Sequence, residues 1–188
     1  MYYATGDNDF LAAAWPALNE TCRFWECRFR RTDSTGISPP AGYAPKCSPK
    51  DGVGNWTVYG VIPPDESASV TNDSVYTNAA AAQTLGFCIE AAAKLGHDVP
   101  ALWLQMASAP YLPLSSTLYA GGDVHVQDAH YVKPRTINQA DVALLQYPLQ
   151  LDFDESLQRR DLDFYASVTN FGGMFTGDTS VSRRRQDT

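Results

Sequence analysis

Two adjacent carboxylates, Asp65 and Glu66, follow the stretch Gly60-Val61-Ile62-Pro63-Pro64. A carboxyl group can cleave a glycosidic bond when it is held protonated, because it then passes its proton to the leaving oxygen. Burial against apolar surface keeps it protonated by disfavouring the charged form. The Val61–Pro64 wall would do this for Glu66, and the neighbouring charge of Asp65 would push the same way. Asn72, Thr77 and Asn78 carry groups of the kind that grip sugar hydroxyls, and Trp56 and Tyr59 could stack on a pyranose face. Read alone, Pro64-Asp65-Glu66 is more often a turn before a helix N-terminus, where the helix dipole favours acids.

The elements that must position this pair are helical by pattern. Residues 8 to 31 place Trp15, Leu18, Cys22, Trp25 and Phe29 at three- and four-residue steps, with Pro16 as an expected interruption. Residues 32 to 55 hold Pro39, Pro40, Pro45 and Pro49 and predict a long loop. Val75 to Leu95 predicts a strong helix with Leu85, Cys88, Ile89, Ala92 and Leu95 on one side, and Lys94 and Gly96 as its stop. Asp98 is expected to cap the next helix, with Pro100 in its first turn. Residues 114 to 135 read as irregular. "NQADVALLQYP" reads as a short apolar segment closed by Pro148, and Asp154 as the cap of a last helix. No strand alternation stands out, so the expected class is all-α, with long loops that can converge on one site.

Composition narrows the partners. Apolar residues make up 44% of the 188, which suits a globular domain. A net charge of −7 argues against nucleic acid and anionic membrane. No run is apolar enough for a membrane helix, and no signal peptide is visible at the start of the sequence. Cys22, Cys27, Cys47 and Cys88 form no CxxC pair and have no suitable His spacing, which argues against a metal. They are too sparse for a disulfide scaffold, though one bridge to Cys47 remains open. Three sequons start at Asn19, Asn55 and Asn72. They lean toward a secreted or vacuolar/lysosomal location and leave a cytoplasmic one open. His97 reads as exposed, His125 and His130 as loop residues near the sugar site, and Asp141 as orienting backbone or capping a helix.

"GVIPPDESASVTNDSVYTN" resembles the acid-loop segment of glycoside hydrolase family 65, which runs PDE(Y)…V-x-N-x-x-YTN. Three further stretches agree in order. "YYATGDNDFLAAAWPALNETCRFWECRF" is similar to the helix before that loop. "INQADVALLQYPL" is similar to the KQADV-LL-YPL signature, and "DESLQRRDLDFYASVTNFGGM" to the helix and loop that follow.

The resemblance implies part of an (α/α)6 barrel over residues 1–175, incomplete, with a disordered tail at 176–188. It implies an inverting hydrolase of an α-glucoside, either trehalose-like or a glucosyl-galactosyl disaccharide, with no cofactor and no metal. Glu66 falls on the family's general acid, and Asn138 and Gln139 fall on its Lys-Gln sugar-binding pair. Asp65 and Asn78 complete the expected sugar contacts. Asn138 replaces the family's lysine and Ser67 its tyrosine. The family's Trp-Asp motif and the hydrolases' second carboxylate are expected outside the matched region. A disaccharide phosphorylase, with phosphate in place of water, and a non-catalytic helical chain that binds sugar or a partner are the alternatives.

Overall fold

A computed structural model describes residues 2–32, 47, 52–65, 68–134 and 136–169. Most of the 32–55 loop and the expected tail at 176–188 lie outside the described residues. About half of the described residues are helical, which is compatible with an all-α class. The helices are α1 (Tyr2–Thr5), α2 (Asn8–Arg28), α3 (Val75–Leu95), α4 (Ala101–Ser108), α5 (Ala143–Gln146) and α6 (Glu155–Val168). Four short strands accompany them: β1 (Phe29–Arg31), β2 (Trp56–Val58), β3 (Leu114–Ser115) and β4 (Val124–His125).

The strands correct the expectation that there would be none. β1 pairs antiparallel with β2, setting Phe29 opposite Val58 and Arg31 opposite Trp56. β3 pairs antiparallel with β4. Strands of two or three residues are too short to show the alternation that identifies a strand in sequence. Phe29 both ends the helical stripe of α2 and opens β1, so the helix stops at Arg28 and not at residue 31. Pro16 lies inside α2 and does not end it.

The strongest helix has strong local causes. Ser74 caps α3, its hydroxyl accepting from the Thr77 amide at 3.2 Å. Gly96 closes it in the left-handed region at φ 70°, donating to the carbonyls of Ala92 and Ala93. Asp154 caps α6 by accepting from the amides of Ser156 and Leu157. Asp98 does not cap α4. The backbone is still extended at Pro100, which takes the cap position with no side-chain bond.

Two apolar cores flank α3. Cys22, Phe29, Trp56, Val58, Ala81, Leu85, Cys88, Trp103 and Met106 form one, between α2, α3, α4 and the β1–β2 pair. Val75, Ala79, Val124, Val126, Tyr131, Val142, Leu145, Phe164 and Tyr165 form the other, between α3, α5, α6 and the intervening loops. Two disulfides, Cys22–Cys88 and Cys27–Cys47, use all four cysteines. This is one bridge more than expected. Cys22 and Cys88 lie on the buried stripes of α2 and α3, where their spacing fits apolar packing equally well.

Candidate active site

The loop that carries the acidic pair is closed at its base. Val61 and Thr71 exchange backbone hydrogen bonds at 3.0 and 2.8 Å. The Gly60 amide donates to Asn72 Oδ1 at 3.0 Å, and the Asp73 amide to the Val58 carbonyl at 3.2 Å. The loop therefore springs from β2 and returns to the cap of α3.

A second tether holds the loop near its acidic end. The Asp65 amide donates to Asp141 Oδ1 at 2.9 Å, joining residues 76 positions apart. Asp65 is only 4% exposed and Asp141 is fully buried. The Asp141 amide donates to Gln127 Oε1 at 2.7 Å, Gln127 Nε2 donates to the Gln139 carbonyl at 3.1 Å, and the Val75 amide donates to the Gln127 carbonyl at 3.0 Å. Gln127 thus clasps the Asn138–Asp141 turn and the start of α3 together, and Asp141 extends that clasp to Asp65. Buried polar atoms need partners, and here Asp141 Oδ1 and both ends of the Gln127 amide find backbone.

Glu66 itself lies outside the described residues. Its predecessor Asp65 is fixed against Asp141, and half-buried Asn138 and Gln139 sit three and two positions before that aspartate. The apolar wall divides in two: Pro63 is buried, whereas Ile62 is 64% exposed. A groove of about 490 Å³ runs along this wall, lined by Trp25, Val61, Ile62, Pro63, Pro64, Tyr76, Thr77 and Ala80.

Asn78 is fully buried, and its amide engages protein. Oδ1 accepts from the Val58 amide at 2.9 Å, while Nδ2 donates to the Tyr111 carbonyl at 2.8 Å and to Thr57 Oγ1 at 3.0 Å. Trp56 and Tyr59 are 1% and 7% exposed, with Arg31 over the Trp56 ring and Arg30 over the Tyr59 ring, each at 4.3 Å. Buried so, they offer no open platform for a sugar ring.

Asp73 belongs to this neighbourhood and carries no signal in the sequence pattern. It is fully buried, adopts φ 61°, and accepts from Thr57 Oγ1 at 2.7 Å. Burial pushes its carboxyl up to about 6, with the Thr57 hydrogen bond opposing the rise. Its Oδ2 has no hydrogen-bond partner among the described residues.

The histidines separate. His97 is exposed and stacks on Trp15 with ring centroids 5.0 Å apart. His130 is more than half exposed, and its Nδ1 lies 3.9 Å from Asp128. His125 departs from the expectation of a site loop. It is 2% exposed in β4, its ring Nδ1 is 2.8 Å from Asp161 Oδ2, and its amide donates to Asp161 Oδ1 at 2.8 Å. The pair ties β4 to α6. The sequence holds the faint signal of an aspartate on the same helical face as Leu157, Phe164 and Val168.

No family model matches the chain. Over 171 residues, 90% of the chain, it is 28% identical to the protein-glucosylgalactosylhydroxylysine glucosidase of Mus musculus. It is 28% identical over 165 residues, 87% of the chain, to the kojibiose hydrolase of Flavobacterium johnsoniae. It is 26% identical over 175 residues, 89% of the chain, to the periplasmic/secreted acid trehalase of Candida glabrata. Its relatives are glycoside hydrolases of family 65. The resemblance read from the four ordered motifs therefore stands, and it is to enzymes named for cleaving glucosides. The chain spans between about an eighth and a fifth of the length of these curated relatives, namely 22%, 21% and 12% of the three above.

Proposed function

We propose that this chain is part of the catalytic domain of a family 65 glycoside hydrolase that releases glucose from an α-glucoside, with Glu66 as its general acid. The observation that carries the reading is the hydrogen bond from the Asp65 amide to buried Asp141. It couples the acidic loop to the turn that bears Asn138 and Gln139, the two stretches that the family resemblance assigns to the proton donor and the sugar grip. Catalysis gains from groups held in place before substrate arrives.

In this reading Glu66 passes its proton to the glycosidic oxygen as the bond from C1 to that oxygen breaks. A water attacks C1 from the opposite face of the ring, so the configuration inverts. Asn138 and Gln139 bind hydroxyls of the departing glucosyl unit, and Asp65 serves as a further hydroxyl acceptor or as the anchor of the loop. Asn78, with its amide spent on Val58, Tyr111 and Thr57, positions the loop base rather than the sugar. The helices would form part of an (α/α)6 barrel. Hydrolysis is favoured over phosphorolysis because the relatives above are named as glucosidase, hydrolase and trehalase.

Glu66→Gln removes the proton while keeping the shape. We expect glucose release from trehalose, kojibiose and a glucosyl-galactosyl disaccharide to fall by at least about 10³-fold, with the melting temperature unchanged. Turnover near that of the wild type would remove Glu66 from the role. Asp141→Ala should lower kcat by about 10²-fold with a smaller change in KM, because it loosens the acid without touching substrate. A rise in KM alone would place Asp141 in binding instead.

A further inference from the structure

The three sequons are left unexplained by catalysis, and the structure treats them differently. Asn72 is 1% exposed, and its Oδ1 accepts the Gly60 amide at the base of the acidic loop. A hydrated oligosaccharide on that nitrogen is incompatible with the loop closure described above. Asn19 is half-buried inside α2, three residues before fully buried Cys22, so it borders the stripe that packs on α3. Asn55 is exposed. It stands in the turn that enters β2, where its carbonyl accepts from the Thr32 amide at 2.8 Å and leaves the side chain free of a structural task among the described residues.

A second observation concerns the compartment. All four cysteines are paired in Cys22–Cys88 and Cys27–Cys47, and Cys22 and Cys88 are fully buried within a core. Paired structural cysteines persist in oxidising compartments, the same ones in which sequons are used.

We propose that Asn55 is an N-glycosylation site of a chain matured in an oxidising secretory compartment, and that Asn19 and Asn72 are left unmodified. The donor is a lipid-linked oligosaccharide pyrophosphate. Asn55 Nδ2 forms a bond to the anomeric carbon, the bond from that carbon to the pyrophosphate breaks, the amide loses one proton, and the lipid pyrophosphate leaves. The glycan would project from the turn before β2 without disturbing Thr57, the third residue of the sequon. The Thr57 hydroxyl is wholly buried against Asp73 once the chain is folded.

The test is to secrete the chain from a eukaryotic host and release N-glycans enzymatically in heavy-oxygen water, which labels each formerly glycosylated asparagine as it becomes aspartate. The expected result is label at Asn55, none at Asn19 or Asn72, and no titratable thiol. Asn55→Gln should abolish the mobility shift seen on deglycosylation and leave both disulfides intact. A secreted, thiol-free chain with an unlabelled Asn55 peptide overturns the proposal, and so does label at Asn19 or Asn72. The peptide map of the unsubstituted chain keeps the result independent of how the variant folds.

Discussion

The two cores on either side of α3 are held by different means. The one between α2 and α4 is built mainly from helices and the β1–β2 pair, whose backbones largely bond one another apart from the Val58 amide held by Asn78, so its side chains can be apolar and its cross-link covalent. The one around α6 encloses chain between residues 111 and 154 whose regular elements are the short β3, β4 and α5, so fewer of its backbone groups sit in helix or strand ladders. There the buried side chains of His125, Gln127, Asp141 and Asp161 reach backbone or one another instead. Such a polar clasp fixes loop geometry that helix packing does not reach, at the cost of desolvating each member.

The comparison can be broken by removing each kind of cross-link. The largest loss of stability is expected from Cys22→Ala with Cys88→Ala, which opens a bridge between residues 66 apart. The chain-entropy account puts this at about 4 kcal/mol, read as a shift in the urea midpoint, with kcat unchanged. Asp161→Ala comes next. It strips partners from the buried His125 amide and ring, and should cost about 3 kcal/mol by the same measurement. If the order reversed, the polar clasp and not the disulfide would be the dominant restraint.

Asp73→Asn is the smallest effect and sharpens the comparison through pH. The Asp73 carboxyl is pushed up to about 6 by burial, above its unfolded value of 3.8. Its contribution to stability is therefore complete below pH 4 and is lost as pH rises through 6. Asparagine tolerates the left-handed backbone and still accepts from Thr57. The variant should match the wild type at pH 4 and exceed it by about 2 kcal/mol at pH 7.5. Equal stability at both pH values would show that Asp73 folds with its charge intact.

The sequence made some of this legible and hid the rest for physical reasons. α3 is plain because an alanine-rich stripe and a glycine stop agree over 21 residues. Asp154 shows as a cap because a capping aspartate acts on its own next turn. The strands are hidden by shortness, and Cys22 and Cys88 by sitting where any small apolar residue would fit. In the candidate site, Asp141 is legible as a residue that orients backbone, and the structure shows whose backbone: that of Asp65. Gln127 was not legible, and Asp161 showed only as an aspartate on an apolar helical face, without its partner. Each acts on a partner 12 or more positions away, and no local pattern encodes such a contact. Asn78 shows the converse, since an amide of the right type for sugar turns inward to hold Val58.

α3 is shared property. Val75 and Ala79 face one core, and Ala81, Leu85 and Cys88 face the other. A single rigid rod common to both halves leaves neither able to melt while its neighbour persists. The described residues should therefore unfold in one transition, with the loop that carries the acidic pair losing its shape at the same temperature as the disulfide-linked helices far along the rod.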